Sequence, residues 1–591
     1  MNRTNGSPHL GDFTTTPRML SISALAIGIG IVSAYVALAL LRLIGLCTNL
    51  AFFGRWSTAL VSPAGNHLGW FEILIPIAGA LVIGVMARYG SERIRGHGIP
   101  EAIEAILING SKVEPKVALL KPLSSAISIG TGGPFGAEGP IIMTGGAFGS
   151  MIAQLFKLSS NERKTLLVAG AAAGMSATFA SPVAAVLLAV ELLLFEWKPR
   201  SMIPVALASV TAAAARRYII GLGPLFPVPP HPVFIGPAGL LGCVVAGVLA
   251  GALSALMTLA VYASEDAFQH LPIHWMWWPA FGGLVIGIGG LIFPQALGVG
   301  YDTIGALLQG GVPSTTIAGI LLVKSVIWAV SLGSGTSGGV LAPLLMMGGA
   351  LGGMEAMFLP HLGAGFWPLV GMGAMLGGTL RVPFTGVIFA IEVTHDIDML
   401  LPLLLAATVA HAFSVLLMRR SILTEKVARR GYHLSCEYAV DPLEILFVRE
   451  VMRTNIAAIP VGATRAEIAS LHSDNLARKG QFLYPVVDEQ RHVVGVVTRN
   501  DLQDNRPPRD LPQSQIVTAY RDEPLRAVVY RMAETGLTRF PVLDNAVDRK
   551  LVGMVALADL LRARTRSLEE ERHRERVLRL HLPFGRVTEV N

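Results

Sequence analysis

Hydrophobic patterning divides the chain in two. From about Ser21 to Leu417 apolar tracts dominate, whereas charged residues gather after Arg419. Two early tracts, Ser21 to Cys47 and Phe71 to Ala87, are long enough to cross a bilayer as helices at about 1.5 Å rise per residue. Later tracts are shorter: Glu101 to Ile108, Ile141 to Phe156 and Val340 to Phe358 are bounded by Gly and Pro clusters. With 64 glycines, the chain has too many interruptions for a plain series of spanning hairpins. Unwound backbone at membrane depth is tolerated where it lines a polar cavity, so this pattern predicts broken or re-entrant helices around one. From Val448 to Thr565 the pattern turns to αβ alternation, which predicts a small soluble unit.

The apolar part repeats itself. Gly170 to Leu192 aligns without gaps on Gly371 to Val393, so that Thr178 meets Thr379, Pro182 meets Pro383 and Glu191 meets Glu392. Slightly upstream, Lys121 meets Lys324, Gly136 meets Gly339, Pro140 meets Pro343, and GGAFGSM meets GGALGGM. Two similar halves, about residues 70–222 and 234–418, are therefore expected to build an all-α polytopic domain over residues 19–425. Transporters made of such repeats place the substrate near the midplane where the halves meet. Glu191 and Glu392 recur in both halves and are read as structural, bonding backbone or lysine at helix ends.

Composition agrees with a membrane chain: 52% of residues are hydrophobic and 15% charged, outside the range of a soluble globular protein. The net charge of +7 does not point to nucleic acid, because Arg419, Arg420, Lys426, Arg429 and Arg430 directly follow the last apolar tract. That is a positive-inside signal, which puts residues 1–18 and everything after 425 in the cytoplasm. The first apolar run is too long for a signal-peptide core and is expected to stay in the mature chain. Cys47, Cys243 and Cys436 are odd in number and far apart, so neither a disulfide framework nor a zinc site is expected. The 14 histidines have no ligand spacing, and no metal is expected. No nucleophile with a base or metal cluster marks an enzyme.

The candidate chemistry lies in Gly130 to Met151, where Glu138 sits inside a glycine-rich break between apolar segments. An ionisable group and loose backbone at membrane depth each need polar partners or water. Three breaks each precede an apolar helix: Gly96, His97, Gly98, Ile99 and Pro100; Gly136 to Pro140; and Gly338 to Pro343. Proline suits a first helical turn, glycine permits close approach of a ligand, and the unpaired N–H groups of a helix start favour an anion. Converging starts would hold an anion without a full positive charge, which allows release. The expectation is an anion pathway with Glu138 as its gate.

GHGIP, GAEGP and GGVLAP, in this order and spacing, resemble the signature motifs of the CLC chloride channel and transporter family over roughly residues 20–425. The family versions are GSGIP, GREGP or GKEGP, and GxFxP. The resemblance implies a homodimer with one independent pore per subunit, built from inverted repeats, antiparallel halves of tilted and often half-spanning helices, with chloride as substrate and no required cofactor. It implies that Gly96 to Pro100, Gly136, Gly139, Gly339, Val340, Leu341, Ala342 and Leu423 bind the anion, and that Glu138 occupies an anion position until it swings away. Departures are informative. His97 replaces a serine, Leu423 a tyrosine and Leu341 a phenylalanine. His97 either donates an imidazole N–H or caps its helix, pointing away from the pore. Leu192 stands where proton-coupled members carry an internal glutamate, which favours a passive channel over chloride/proton exchange. A carrier for nitrate or fluoride is the other alternative.

The soluble part also repeats: Tyr484 to Leu502 matches Phe540 to Leu560, each two β-rich runs and a helix start with Asp. It resembles a tandem pair of CBS modules, residues 448–505 and 513–565, after a linker at 426–447 and before a charged tail at 566–591. In that family a hydroxyl and an aspartate hold the ribose and phosphate of an adenine nucleotide. Thr498 and Asp501 match in the first module; in the second Asp559 matches but Ala556 replaces the hydroxyl. The plainer reading is a helix cap with a first-turn acid.

Overall fold

The computed structural model describes residues 17–107, 111–430, 443, 446–464, 466–467, 481–499, 501, 516–545 and 548–572. The N-terminal tail to residue 16, Cys436, most of the 426–447 linker and the charged tail beyond residue 572 lie outside the described residues. Two compact units are present, one within Gly11–Glu437 and one within Tyr438–Asn591.

The first unit is helical. Its first half holds α1 (Arg18–Phe53), α2 (Leu74–Tyr89), α3 (Ile99–Leu107), α4 (Pro115–Gly130), α5 (Glu138–Gln154), α6 (Ser160–Phe179), α7 (Pro182–Leu188, continued by a π-helical turn to Leu194) and α8 (Pro199–Ile219). Its second half holds α9 (Pro237–Gln269), α10 (Trp278–Ile292), α11 (Tyr301–Gln309), α12 (Ser314–Gly333), α13 (Leu341–Glu355), α14 (Phe366–Leu380), α15 (Pro383–Thr394), α16 (Leu400–Leu417) and α17 (Ile422–Arg429). Among the described residues, six helical segments are long and apolar enough to cross a membrane. Many of the others are short, as the Gly and Pro breaks predict.

Close helix packing explains many glycines. A Cβ on Gly145 would lie 2.3 Å from the Gly170 carbonyl oxygen, and one on Gly170 would lie 2.1 Å from that of Gly145. Their counterparts pack alike, since a Cβ on Gly348 would lie 2.5 Å from the Gly371 oxygen and one on Gly371 would lie 2.3 Å from that of Gly348. No side chain fits there, so backbones touch and α5 seats on α6 as α13 seats on α14. Every residue of α14 is buried, as is α6 from Thr165 onward. Such helices, apolar all round, belong at the centre of a bundle.

The repeated glutamates tie the halves together. Glu392 of α15 accepts the Val183 and Ala184 N–H groups of α7 at 2.9 and 2.8 Å. Glu191 of the α7 turn accepts the Thr385 N–H of α15 at 3.0 Å and the Thr385 hydroxyl at 2.5 Å. Each acid thus caps the proline-led helix of the opposite half, supplying acceptors to orphan N–H groups.

The second unit contains two three-stranded sheets of the same design. In one, β1 (Ile459–Pro460) runs parallel to β2 (Leu483–Val487), which pairs antiparallel with β3 (Val493–Thr498). In the other, β4 (Ala519–Tyr520), β5 (Arg539–Leu543) and β6 (Leu551–Ala556) repeat that order and directions. The register shift recurs too, at Val486/Val487 and at Val542/Leu543. Val487 and Val493 pack with Leu543 and Leu551, so the two sheets share an apolar cluster.

Candidate functional site

The three breaks converge. Gly136 and Gly339 exchange backbone hydrogen bonds of 3.1 and 2.8 Å. Gly96 donates to the Thr336 carbonyl at 3.0 Å and accepts from the Gly338 N–H at 3.4 Å. Positive φ at Gly96 (+81°) and Gly98 (+88°) sets the first turn, a backbone region that other L residues rarely adopt. Gly139 is fixed by space instead, because a Cβ there would lie 1.8 Å from the His97 carbonyl oxygen.

A buried lysine fastens the junction. Lys121, fully buried on α4, donates from Nζ to the Ile94 and Gly96 carbonyls at 2.8 Å each and to the Ser337 hydroxyl at 3.2 Å. Ser124 and Ser125 also reach Ser337 Oγ, at 3.1 and 2.9 Å. An ammonium with three acceptors satisfies its donors, which is the condition for a charge at this depth. Lys324 on α12, equally buried, donates to the Ala296 and Gly298 carbonyls at 2.9 and 2.8 Å. Sequence reading aligned these lysines but assigned them no task. Their recurrence inside apolar helices was the available signal.

Glu138 is the first residue of α5 and is fully buried. Its carboxylate lies over Gly136 and Gly339: a Cβ on either would fall 1.6 or 2.8 Å from Oε2. Neither carboxylate oxygen has a hydrogen-bond partner of ordinary geometry. The groups that face it are the N–H of Glu138 itself and of Ala342, the Lys324 ammonium and the Tyr301 hydroxyl. Val340 precedes α13, and Leu341 and Ala342 open it, as Glu138 and Gly139 open α5. First-turn N–H groups lack a carbonyl one turn back, so two helix starts present donors where the carboxylate sits.

The Gly96 break differs. The Gly98 N–H is taken by Glu101 Oε2 at 2.9 Å, so Glu101 caps α3 and His97 does not. His97 is buried with Nδ1 unpartnered, and its charged neighbours are Glu101, Lys121, Lys426 and Arg430. Ile99 and Pro100 begin α3 and are buried. Leu423 is buried in the first turn of α17, where the Tyr262 hydroxyl from α9 donates to the Ile422 carbonyl. Leu192 is buried in the π-helical turn beside Glu191.

In the second unit Thr498 and Asp501 bond each other. Asp501 Oδ2 accepts the Thr498 N–H at 2.8 Å and its hydroxyl at 2.6 Å, a capping arrangement. Asp559 accepts the Ala556 N–H at 3.1 Å and the Arg453 guanidinium at 2.9 to 3.0 Å.

Residues 78–415 match the family model described as voltage gated chloride channel, and residues 448–506 and 509–566 each match the CBS domain model. A relative from Escherichia coli (strain SMS-3-5 / SECEC), named voltage-gated ClC-type chloride channel ClcB, is 29% identical over 69% of this chain and 99% of its own. A putative chloride channel protein, ClcB-like, from Ralstonia nicotianae is 29% identical over 59% of this chain and 83% of its own. Among solved structures, a slow cyanobacterial Cl⁻/H⁺ antiporter aligns with TM-score 0.60 at 22% identity, over 71% of this chain and 99% of that one. A eukaryotic CLC transporter aligns with TM-score 0.57 at 17% identity, over 92% of this chain and 98% of that one. These likenesses carry the fold, and the family model covers more than half the chain: the protein belongs to the voltage-gated chloride channel (CLC) family and is an integral membrane protein followed by a tandem CBS pair.

Proposed function

We propose that this protein carries chloride across a cell membrane as a homodimer, each subunit with its own pathway, and that the flux is passive and gated by Glu138. The observation that carries the reading is the Glu138 carboxylate lying unpartnered at two opposed helix starts. An ionised carboxylate imitates the anion those N–H groups favour, and protonation or displacement by chloride vacates the position. Leu192 supports passive flow, because a buried leucine carries no proton. Exchange is the second reading, favoured by solved structures of this fold named as Cl⁻/H⁺ and fluoride/proton antiporters. The chemistry is transport, with no covalent change to the ion.

Tracer chloride efflux from proteoliposomes with a simultaneous proton readout tests this. The expected result is chloride flux without stoichiometric proton movement; uphill proton pumping by a chloride gradient would overturn passive flow. His97 sits two residues before the first break's helix, and His97→Ser compared for chloride, bromide, nitrate and fluoride tests whether it selects the ion. An altered series is expected, whereas an unchanged one removes His97 from the anion site.

For the CBS pair, read as cytoplasmic, the proposed role is regulation by an adenine nucleotide at the first module. Thr498 and Asp501 offer a hydroxyl and a carboxylate at a helix start. The second module is the poorer candidate, since Ala556 lacks the hydroxyl and Arg453 already engages Asp559. Calorimetry of the full chain with ATP, ADP and AMP is expected to give heat that Asp501→Ala abolishes. Absence of heat for all three leaves the pair a structural role.

A further inference from the structure

Gly298–Asp302 is a fourth break, the second half's counterpart of Gly96–Pro100. Gly298 (φ +63°) and Gly300 (φ +79°) turn the chain as Gly96 and Gly98 do. Lys324 holds the Gly298 carbonyl as Lys121 holds that of Gly96. The cross-pairing is also kept: Gly298 donates to the Gly132 carbonyl at 3.1 Å, as Gly96 donates to Thr336. Each break leads into a helix of nine residues, α3 and α11. The chemistry differs at one position. Where the first break places Ile99, the fourth places Tyr301 at the start of α11.

Tyr301 is held by its ring. Phe179 and Phe226 pack edge-on at centroid distances of 6.4 and 5.9 Å. The hydroxyl faces the Glu138 carboxylate, and neither group has a hydrogen-bond partner of ordinary geometry. Tyr301 also lines a cavity of about 520 Å³, together with Thr48, Ser62, Phe226, Asp302 and Gln309, among others. Glu138 is not among the lining residues, so the Tyr301 side chain is what this cavity and the carboxylate share. Asp302 in the first turn makes this helix start a poor anion seat by itself. What the break contributes is the phenol hydroxyl.

We propose that Tyr301 is a positioning residue for the Glu138 carboxylate: its hydroxyl donates to the ionised carboxylate and keeps that group in the anion position, closing the path from the cavity. This rests on the reading of Glu138 as the gate. The other groups facing the carboxylate are the Lys324 ammonium from α12 and the N–H groups of Glu138 and Ala342. Tyr301→Phe keeps the ring packing and removes only the donor. A carboxylate that loses a donor is easier to protonate and displace.

The test is chloride efflux from proteoliposomes across pH for the full-length protein, Tyr301→Phe, Glu138→Ala and the double variant. Tyr301→Phe is expected to move the pH of half-maximal flux upward by about one unit, in line with a lost hydrogen bond to a charged group. It is expected to leave the profile of Glu138→Ala unmoved. Glu138→Ala flat in pH with Tyr301→Phe equal to the native protein would overturn the role of Tyr301 alone, as would a shift that persists without Glu138. A Glu138→Ala profile still gated by pH would overturn the gate reading itself. Fluorotyrosine incorporated at 301, a stronger donor of nearly the same shape, is expected to move the midpoint downward; an upward shift or none contradicts the proposal.

Discussion

The two halves of the membrane unit share a scaffold and differ in chemistry. Lysines, glycine turns and capping glutamates appear twice: Lys121 with Lys324, Gly96 with Gly298, and Glu191 with Glu392. The groups that meet at the centre appear once. Glu138 faces a leucine counterpart at Leu341, Tyr301 replaces Ile99, and Gly139 replaces Ala342. Backbone geometry is set by repeated residues that satisfy carbonyls and N–H groups, so it tolerates no divergence without cost. Side chains that point into the junction have no such duty, and one half can specialise while the other supplies the complementary helix start.

Gly139 against Ala342 gives the largest expected effect. Gly139→Ala would push a methyl group against the His97 carbonyl, from a clash distance of 1.8 Å, and is expected to cost more than about 3 kcal/mol. Ala342→Gly is expected to cost about 1 kcal/mol. Detergent-solubilised thermal melting separates the two, and equal loss would contradict the asymmetry. Next come the lysines. Lys121→Met leaves the Ile94 and Gly96 carbonyls and Ser337 each short of one donor, at an expected cost of about 2 to 3 kcal/mol. Lys324→Met deprives two carbonyls within its own half and also removes the cation facing Glu138, so the two lysine variants are compared in a Glu138→Gln background, where Lys324→Met is expected to cost less; the reverse order in those melts breaks the view that Lys121 fastens one half to the other.

The capping glutamates should be matched, because their roles are reciprocal. Glu392→Ala and Glu191→Ala are each expected to lower stability by about 1 to 2 kcal/mol, since each removes the acceptor of two hydrogen bonds at a helix start of the opposite half. The smallest effect belongs to the soluble unit, where Arg453→Ala removes a partly exposed partner of buried Asp559. After solvent screening this is worth about 1 kcal/mol, read as a lower melting point of the C-terminal unit with native chloride flux.

Much of this was legible in the chain. The internal repeat predicted the paired helices, and the Gly/Pro breaks predicted the short ones, because both follow from local sequence and length. The recurrence of Glu191 and Glu392 predicted bonding to backbone or lysine at helix ends; of the two it is backbone, joined at Glu191 by the Thr385 hydroxyl. Their exchange across the halves was not legible, since sequence spacing does not say which helix lies opposite. Tyr301, Ser337 and Glu101 were missed for related reasons. Ser337 looks like any small residue in a glycine-rich loop until Lys121, Ser124 and Ser125 converge on it. The fourth break was hidden because GVGYD lacks the proline that marked the other three.

The central claim is that one unduplicated carboxylate closes a junction the two halves build together. Chloride efflux from proteoliposomes as a function of external pH, native protein against Glu138→Ala, tests it most directly. The account predicts native flux that rises as pH falls and variant flux that is open and nearly independent of pH. Variant flux that keeps the native rise, at native magnitude, would contradict it.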